Sequence, residues 1–472
     1  MKKSKEYIKN TIILFLGKFT TQFMSFLLLP LYTKKLLTED YGTIDLVQSY
    51  ISLLLPILTL RMDSASFRFL VDCRRDNEKL KACITNIIFV TIVLSIVPWI
   101  ASFILLAIDL PVPYLALIGP NISILIISSI FLQILRGLGK TKYYSIVSAF
   151  TGITTLISNL ILILRLERGA DSILLSSIIA NALCIVFVFF VVKVHRFFSI
   201  KSINGKKICQ FLSYSIPLIP NALSWWVVNA SDRTIIRIFL GAAFNGIYTV
   251  SCKFSNILSS VVSIFNMTWQ ETASLNIDDE DRDLFFTKMI NGLFIMFSSV
   301  ALCIMAVLPL FYTVLIGENY WDSYNYIPIL LYASSWDVLV GLIGGIYVAK
   351  KRTKEIARTT IISAAINLSI DLVLVRYIGL YAAAISTACA YIITAILRMC
   401  SCQKYVKYEA NIRYMVAFTI MFAVCGAFYL INDSVLNVMN LIVALMFVLI
   451  VNKENTSVIM SLFKNKFRKE RK

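Results

Sequence analysis

The feature that most constrains this chain is its run of long, nearly uncharged apolar blocks, separated by short connectors that hold most of the Lys and Arg. A bilayer core about 30 Å thick needs roughly 20 apolar residues in helix to cross it. Within it every backbone N–H and C=O must be satisfied by protein, which leaves helices as the simplest solution. Blocks of that length recur near 11–31, 41–60, 83–108, 114–135, 143–164, 172–192, 211–230, 244–267, 289–313, 324–349, 359–375, 379–397, 414–431 and 434–451. An all-α polytopic membrane protein with 14 transmembrane helices is expected. The seventh block, FLSYSIPLIPNALSWWVVN, is the weakest, because two prolines and several polar residues interrupt it. Soluble classes are excluded by composition: 58% of residues are hydrophobic and 15% charged, where about a quarter charged is usual for a soluble domain.

A net charge of +18 invites a nucleic-acid reading, but that needs a basic patch on a soluble face. Here the cations alternate by side. With the amino terminus inside, the inner connectors and tail hold 36 of the 45 Lys and Arg and the outer connectors hold 7, while Lys18 and Lys253 fall within spans. From that bias both termini are expected to be cytoplasmic; the expected location is the cytoplasmic (inner) membrane, and no nucleic-acid partner is expected. No small-residue cleavage site follows the first span, which is expected to remain as a signal anchor. The tail FKNKFRKERK is expected to rest on anionic membrane lipid. The 10 cysteines are dispersed without a C-x-x-C pair, and the single histidine, His195, stands in a connector. No metal site, cofactor or catalytic cluster is expected from such a set.

The two halves resemble each other. LLTEDYGTIDLVQSY aligns with FLGAAFNGIYTVSCK at an offset of 204, placing Gly42 over Gly246. KTKYYSIVSAFTGITTLISNLILI aligns with RTKEIARTTIISAAINLSIDLVLV at an offset of 212, placing Thr141 over Thr353 and Asn159 over Asp371. The expected organisation is an N-terminal six-helix lobe over 1–200, a second over 201–400, and two further helices with a basic tail over 401–472. Transporters built on such parallel repeats hold substrate between the halves, near the midplane.

The stretches FLLLPLYTKKLLTEDYGTIDLV and NASDRTIIRIFLGAAFNGIYTVSCKFSNIL carry a proline-tyrosine turn, a Tyr-Gly opening a helix and an Asp-Arg pair. In these the chain resembles the Wzx-type polysaccharide flippases, of the superfamily that also contains multidrug and toxin extrusion antiporters and lipid II flippases. The resemblance extends over essentially the whole chain. It implies alternating-access transport of polyprenyl-diphosphate-linked oligosaccharide repeat units from the inner to the outer leaflet, for surface polysaccharide such as capsule or O-antigen. It also implies polysaccharide polymerase and chain-length proteins as partners, and no enzymatic activity.

A diphosphate crossing hydrocarbon needs a shielded path lined by cations, and ionisable groups within a membrane are costly enough to mark such paths. Lys18 and Lys253 occupy comparable stations in the two copies, and the resemblance to lipid II flippases supports both as basic cavity residues. Arg61, Arg233 and Arg237 complete the basic set at the two mouths, where Arg can hold phosphate bidentately. Asp63 and Asp232 stand beside them as gate partners. Asp45, Asp337 and Asp371 are the acids within spans, candidates for a coupling proton or sodium; Asp337, near mid-helix, is favoured. Two rivals remain. A multidrug or organic-cation antiporter of the same fold would want acids to dominate its cavity. A membrane polysaccharide polymerase would need a larger outer loop than the dozen or so residues from Ser231 to Ala243.

Overall fold

The computed structural model describes residues 17, 20–74, 76–109, 111–192, 197, 199 and 202–453, and among them the regular structure is entirely helical. Twelve of the described helices are long and apolar enough to cross a membrane. Two of the fourteen expected spans are not among them. The first, 11–31, is described at residues 17 and 20–31 only; it is helical over 20–27 and ends in α1, Leu29–Lys35, which opens on Pro30. The seventh is broken into α8 (Gly205–Ser215) and α9 (Ile219–Phe239) by a 3₁₀ turn, Ile216–Leu218. Pro217 and Pro220 cause the break, since neither offers an N–H to the helical ladder.

The chain divides into two compact units, residues 1–249 and 250–472. The first contains α2 (Thr38–Leu58), α3 (Met62–Cys73), α4 (Asn77–Ala107), α5 (Leu115–Gly137), α6 (Thr141–Leu160, ending in a π turn, Ile161–Arg165) and α7 (Asp171–Val192), followed by α8 and α9. Local sequence explains several boundaries. Asp76 caps α4 by accepting from the Lys79 N–H, and Asn204 caps α8 by accepting from Lys206 and Lys207. Between α2 and α3 the chain turns through Leu60 and Arg61, both left-handed at φ 49° and 54°, a conformation that costs a non-glycine residue roughly 1–2 kcal/mol. Arg61 and Asp63 therefore open a new helix rather than ending the second span.

Cations close the helices that end beside them. Arg74 donates to the carbonyls of Arg136 (2.9 Å) and Gly137, and Lys140 donates to that of Val191 at 3.2 Å. Both complement the negative end of a helix dipole. Interhelical polar contacts include Ser123, which donates to the Ser95 carbonyl (2.7 Å), Ser128, which donates to Asn181 (2.9 Å), and Asn159, which donates to Ser176 (2.5 Å).

The closest backbone approach in this unit joins α2 to the start of α10 (Ala242–Asn276). A Cβ on Gly42 would overlap the Ala242 carbonyl oxygen and stand 2.6 Å from the Gly246 nitrogen; a Cβ on Gly246 would overlap the Thr38 carbonyl oxygen. The offset of 204 that aligns Gly42 with Gly246 also aligns Thr38 with Ala242. The residues the two glycines meet are thus counterparts of each other, the reciprocal pattern of a two-fold contact. Asn245 secures the crossing by donating to the Gly42 carbonyl at 2.7 Å.

The second unit takes in the remainder of α10, then α11 (Arg282–Val307), the short α12 (Tyr312–Leu315), α13 (Ile327–Ala349), α14 (Thr353–Ile378), α15 (Leu380–Cys402), α16 (Ile412–Ile431) and α17 (Ser434–Val451). Helix α13 forms its centre and packs on α11, α14 and α15. Its buried face includes Leu331, Leu339, Leu342, Ile343 and Ile346, none of them exposed. Tyr324, just before α13, stacks on Tyr429 of α16 with ring centroids 3.9 Å apart, and each hydroxyl donates to the other's backbone carbonyl.

Candidate functional site

The structure gathers three of the singled-out residues, together with Tyr248, into one cluster in the first unit. Asp45 lies two turns into α2, and Asp232 and Arg233 lie in the last third of α9. Arg233 donates from Nε to Asp45 Oδ2 at 2.8 Å, and its Nη1 lies 3.3 Å from Asp232 Oδ1. Tyr248, on α10, donates its hydroxyl to Asp232 Oδ2 at 2.7 Å. All are nearly enclosed: side-chain exposure is 13% for Arg233, 11% for Asp45 and 6% for Asp232. One guanidinium thus ties α2 to α9, while Asp232 and Tyr248 hold it from behind and link it to α10. Removing Arg233 would leave two buried carboxylates without a cation, which costs about 3–5 kcal/mol.

Helix α9 runs to Phe239, so Asp232, Arg233 and Arg237 belong to a helix and not to a connector beginning at Ser231. The pairing favours the extension: Asp232 and Arg233, charges that would end an apolar span, each have a partner of opposite sign within it. Arg237 lies one turn beyond Arg233 on the same face and is exposed. Next along the α2–α9 seam, Thr234 donates to the Tyr50 hydroxyl (3.2 Å), and the Trp226 indole N–H donates to the Ser49 carbonyl (2.8 Å).

The other expected residues lie apart. Arg61 and Asp63 form a local pair at 3.6 Å beside the left-handed turn, with Arg61 also donating to Ser64 at 2.9 Å. Lys18 lies outside the described residues. Lys253 is half-buried in the second unit, 11 residues into α10. Asp337, in α13, is likewise half-buried, whereas Asp371, in α14, has no exposure. One turn before Asp371, Asn367 donates towards Ser386 (3.3 Å) and Thr387 (3.4 Å) of α15.

Arg398 escaped the sequence reading, which assigned it to a connector at the end of the twelfth block. It lies inside α15 and is 2% exposed. Its guanidinium donates to Thr359, to Thr360 and, at 2.6 Å, to the Val340 carbonyl, fastening α15 to α13 and α14. The available signal was a pair of adjacent threonines, Thr359 and Thr360, at the start of an otherwise apolar helix. Among the described residues no group of three or more His, Cys, Asp or Glu side chains is placed to hold a metal ion.

Residues 7–269 match the model of a family described as polysaccharide biosynthesis protein. A Haemophilus influenzae protein of the Lsg locus is 22% identical over 271 residues, which is 55% of this chain and 63% of the relative. The match therefore spans less than two thirds of that relative's length. Among solved structures the chain is similar to the lipid II flippase MurJ in an inward closed conformation, with a TM-score of 0.68, 15% identity, and coverage of 95% of this chain and 100% of that one. It is also similar to an inward-facing multidrug transporter of the MATE family, with a TM-score of 0.66, 14% identity, and coverage of 80% and 92%. At these identities the likeness is one of fold. With the twelve apolar helices it makes the chain an integral membrane protein that shares its fold with these two structures.

Proposed function

The chain belongs to the polysaccharide biosynthesis protein family, and from that premise we propose that it is a flippase for polyprenyl-diphosphate-linked oligosaccharides, not an enzyme acting on them. The substrate would pass from the inner to the outer leaflet of the cytoplasmic membrane, with both termini cytoplasmic and a polymerase taking up the product. The observation that carries the reading is the Asp45–Arg233–Asp232–Tyr248 cluster, a buried ionic clasp between helices of a transporter fold. Alternating access needs contacts strong enough to seal one mouth and able to part in each cycle. A charged clasp serves, because water entering an opened mouth solvates the separated ions and offsets much of what their separation costs. Arg61, Arg237, Lys253 and Lys18 would supply the cations that accompany the diphosphate. A coupling ion, proton or sodium, would bind an intramembrane carboxylate, with Asp337 and Asp371 as candidates.

Disrupting the gene in its host tests this. Surface polysaccharide should be lost while lipid-linked repeat units accumulate undiminished on the inner leaflet, and the intact chain should restore export. Normal surface polysaccharide combined with new sensitivity to organic cations would instead place the chain among multidrug antiporters.

A further inference from the structure

The exposed faces of the first unit are of two kinds. Along α4 the exposed side chains from Phe89 to Leu106 are all apolar, Ile92, Ile96, Trp99, Ile100 and Phe103 among them, a stripe suited to lipid tails. The α2–α9 seam is different. Its exposed residues are mixed: apolar Leu54, Ile57 and Ile238 stand with Tyr50 and Trp225, each 38% exposed, and with Ser52, Asn221 and Arg237. Ser52 satisfies its hydroxyl on the Ser49 carbonyl of its own helix at 2.6 Å, whereas the exposed guanidinium of Arg237, near the end of α9, belongs against water or a polar ligand rather than hydrocarbon.

Within this seam Tyr50 and Trp226 form an offset aromatic pair, with ring centroids 6.3 Å apart and planes inclined by 24°. Both rings are anchored at their polar ends. The Tyr50 hydroxyl accepts from Thr234, and the Trp226 N–H donates to the Ser49 carbonyl. Trp and Tyr usually gather at the membrane interfaces. This pair does not: Tyr50 is 12 residues into the 21-residue α2, about 18 Å along it at 1.5 Å per residue. Trp226 is 13 residues before the end of α9 at Phe239, a comparable depth. Trp226, Arg233 and Arg237 share one face of α9, at spacings of seven and four residues, so the aromatic pair and the cationic groups follow one line.

An aromatic shelf edged by hydroxyls and amides suits a pyranose ring, whose C–H face is apolar and whose rim donates and accepts hydrogen bonds. We propose that Tyr50 and Trp226 form a stacking subsite for a sugar of the transported lipid, with Arg237, the exposed cation of the same face, towards its diphosphate. The inference rests on the flippase reading and adds to it a place where the glycan, rather than the phosphate, is recognised.

The test uses the full chain in liposomes and two lipids: a polyprenyl diphosphate bearing a disaccharide, and the same polyprenyl diphosphate without sugar. The first is the transported substrate and the second a competitor. Trp226→Ala should raise the half-saturating concentration of the disaccharide lipid about tenfold, a loss typical of one aromatic face. The inhibitory concentration of the bare lipid should stay within about twofold of the parent. Trp226→Phe, which keeps a ring but loses the N–H, should lie close to the parent, and Tyr50→Ala should behave like Trp226→Ala. Equal losses for both lipids, or a Phe variant as impaired as Ala, would make the pair a helix-packing contact and overturn the subsite. Unchanged saturation in both alanine variants would overturn it as well. A parent chain that moves no disaccharide lipid, or on which the bare lipid does not compete, would instead overturn the flippase reading.

Discussion

Neutralising Asp45 probes the clasp between α2 and α9. In Asp45→Asn the side chain keeps its shape, while the 2.8 Å bond from Arg233 loses its ionic character. A buried ion pair stripped of one partner costs about 3–5 kcal/mol, but Arg233 keeps Asp232 at 3.3 Å, so the loss should approach that of one charged hydrogen bond, about 1.5–3 kcal/mol. If the contact seals a mouth, the same energy shifts the closed-to-open ratio roughly 10- to 150-fold. Arg233→Gln should be worse, because two carboxylates then face each other without a cation. A double-mutant cycle measured by unfolding in detergent should return a coupling of about 1.5–3 kcal/mol between positions 45 and 233. Cysteine pairs across α2 and α9 should cross-link more slowly in Asp45→Asn than in the parent background. Effects that add within about 0.5 kcal/mol, with cross-linking unchanged, would refute the clasp.

Other consequences follow from single contacts. Gly42→Ala places a methyl group against the Ala242 carbonyl and should destabilise the protein by about 1–3 kcal/mol or more. Gly169→Ala, with nothing within 4 Å, should leave the same unfolding measurement unchanged. Arg398→Met removes the donors to Thr359, Thr360 and Val340 and should lower stability by about 3 kcal/mol, seen as loss of the monodisperse peak on gentle heating. Lys253→Ala should reduce polymer export at constant membrane abundance, with Lys253→Arg milder because the charge remains; equal export in all three chains would exclude this lysine. Cysteines at Lys34 and Glu318 should be labelled from outside intact cells and those at Asn77 and Lys354 only from inside; labelling of position 77 from outside would contradict the orientation.

Much of this was legible in the chain because membrane helices obey few rules. Apolar length located twelve spans, and Pro217 with Pro220 marked where the seventh breaks. The alignment of Gly42 with Gly246 joined two residues that prove to be each other's contacts, since only glycine permits so close a crossing. Asp45 and Arg233 were visible as charges in costly places, but their pairing was not: 188 residues separate them, and no local periodicity reports such a distance. The same limit hid Tyr248 behind Asp232. Arg398 was misplaced because a cation near the end of an apolar run has two solutions, snorkelling to water or burial among hydroxyl and carbonyl acceptors. Only the packing of α13, α14 and α15 decides between them. The turn at Leu60 and Arg61 gave no warning either, since neither residue favours a left-handed backbone.

The central claim is that this chain carries a sugar-bearing polyprenyl diphosphate across a bilayer. It is tested most directly with the purified protein in sealed liposomes, where the labelled disaccharide lipid is followed by the access of an external glycosidase. The account predicts that the fraction cleaved rises beyond the half already in the outer leaflet, and that Lys253→Ala and Asp45→Asn slow the rise. A cleaved fraction that stays at one half, in liposomes whose protein exchanges an organic cation for protons or sodium, would contradict it.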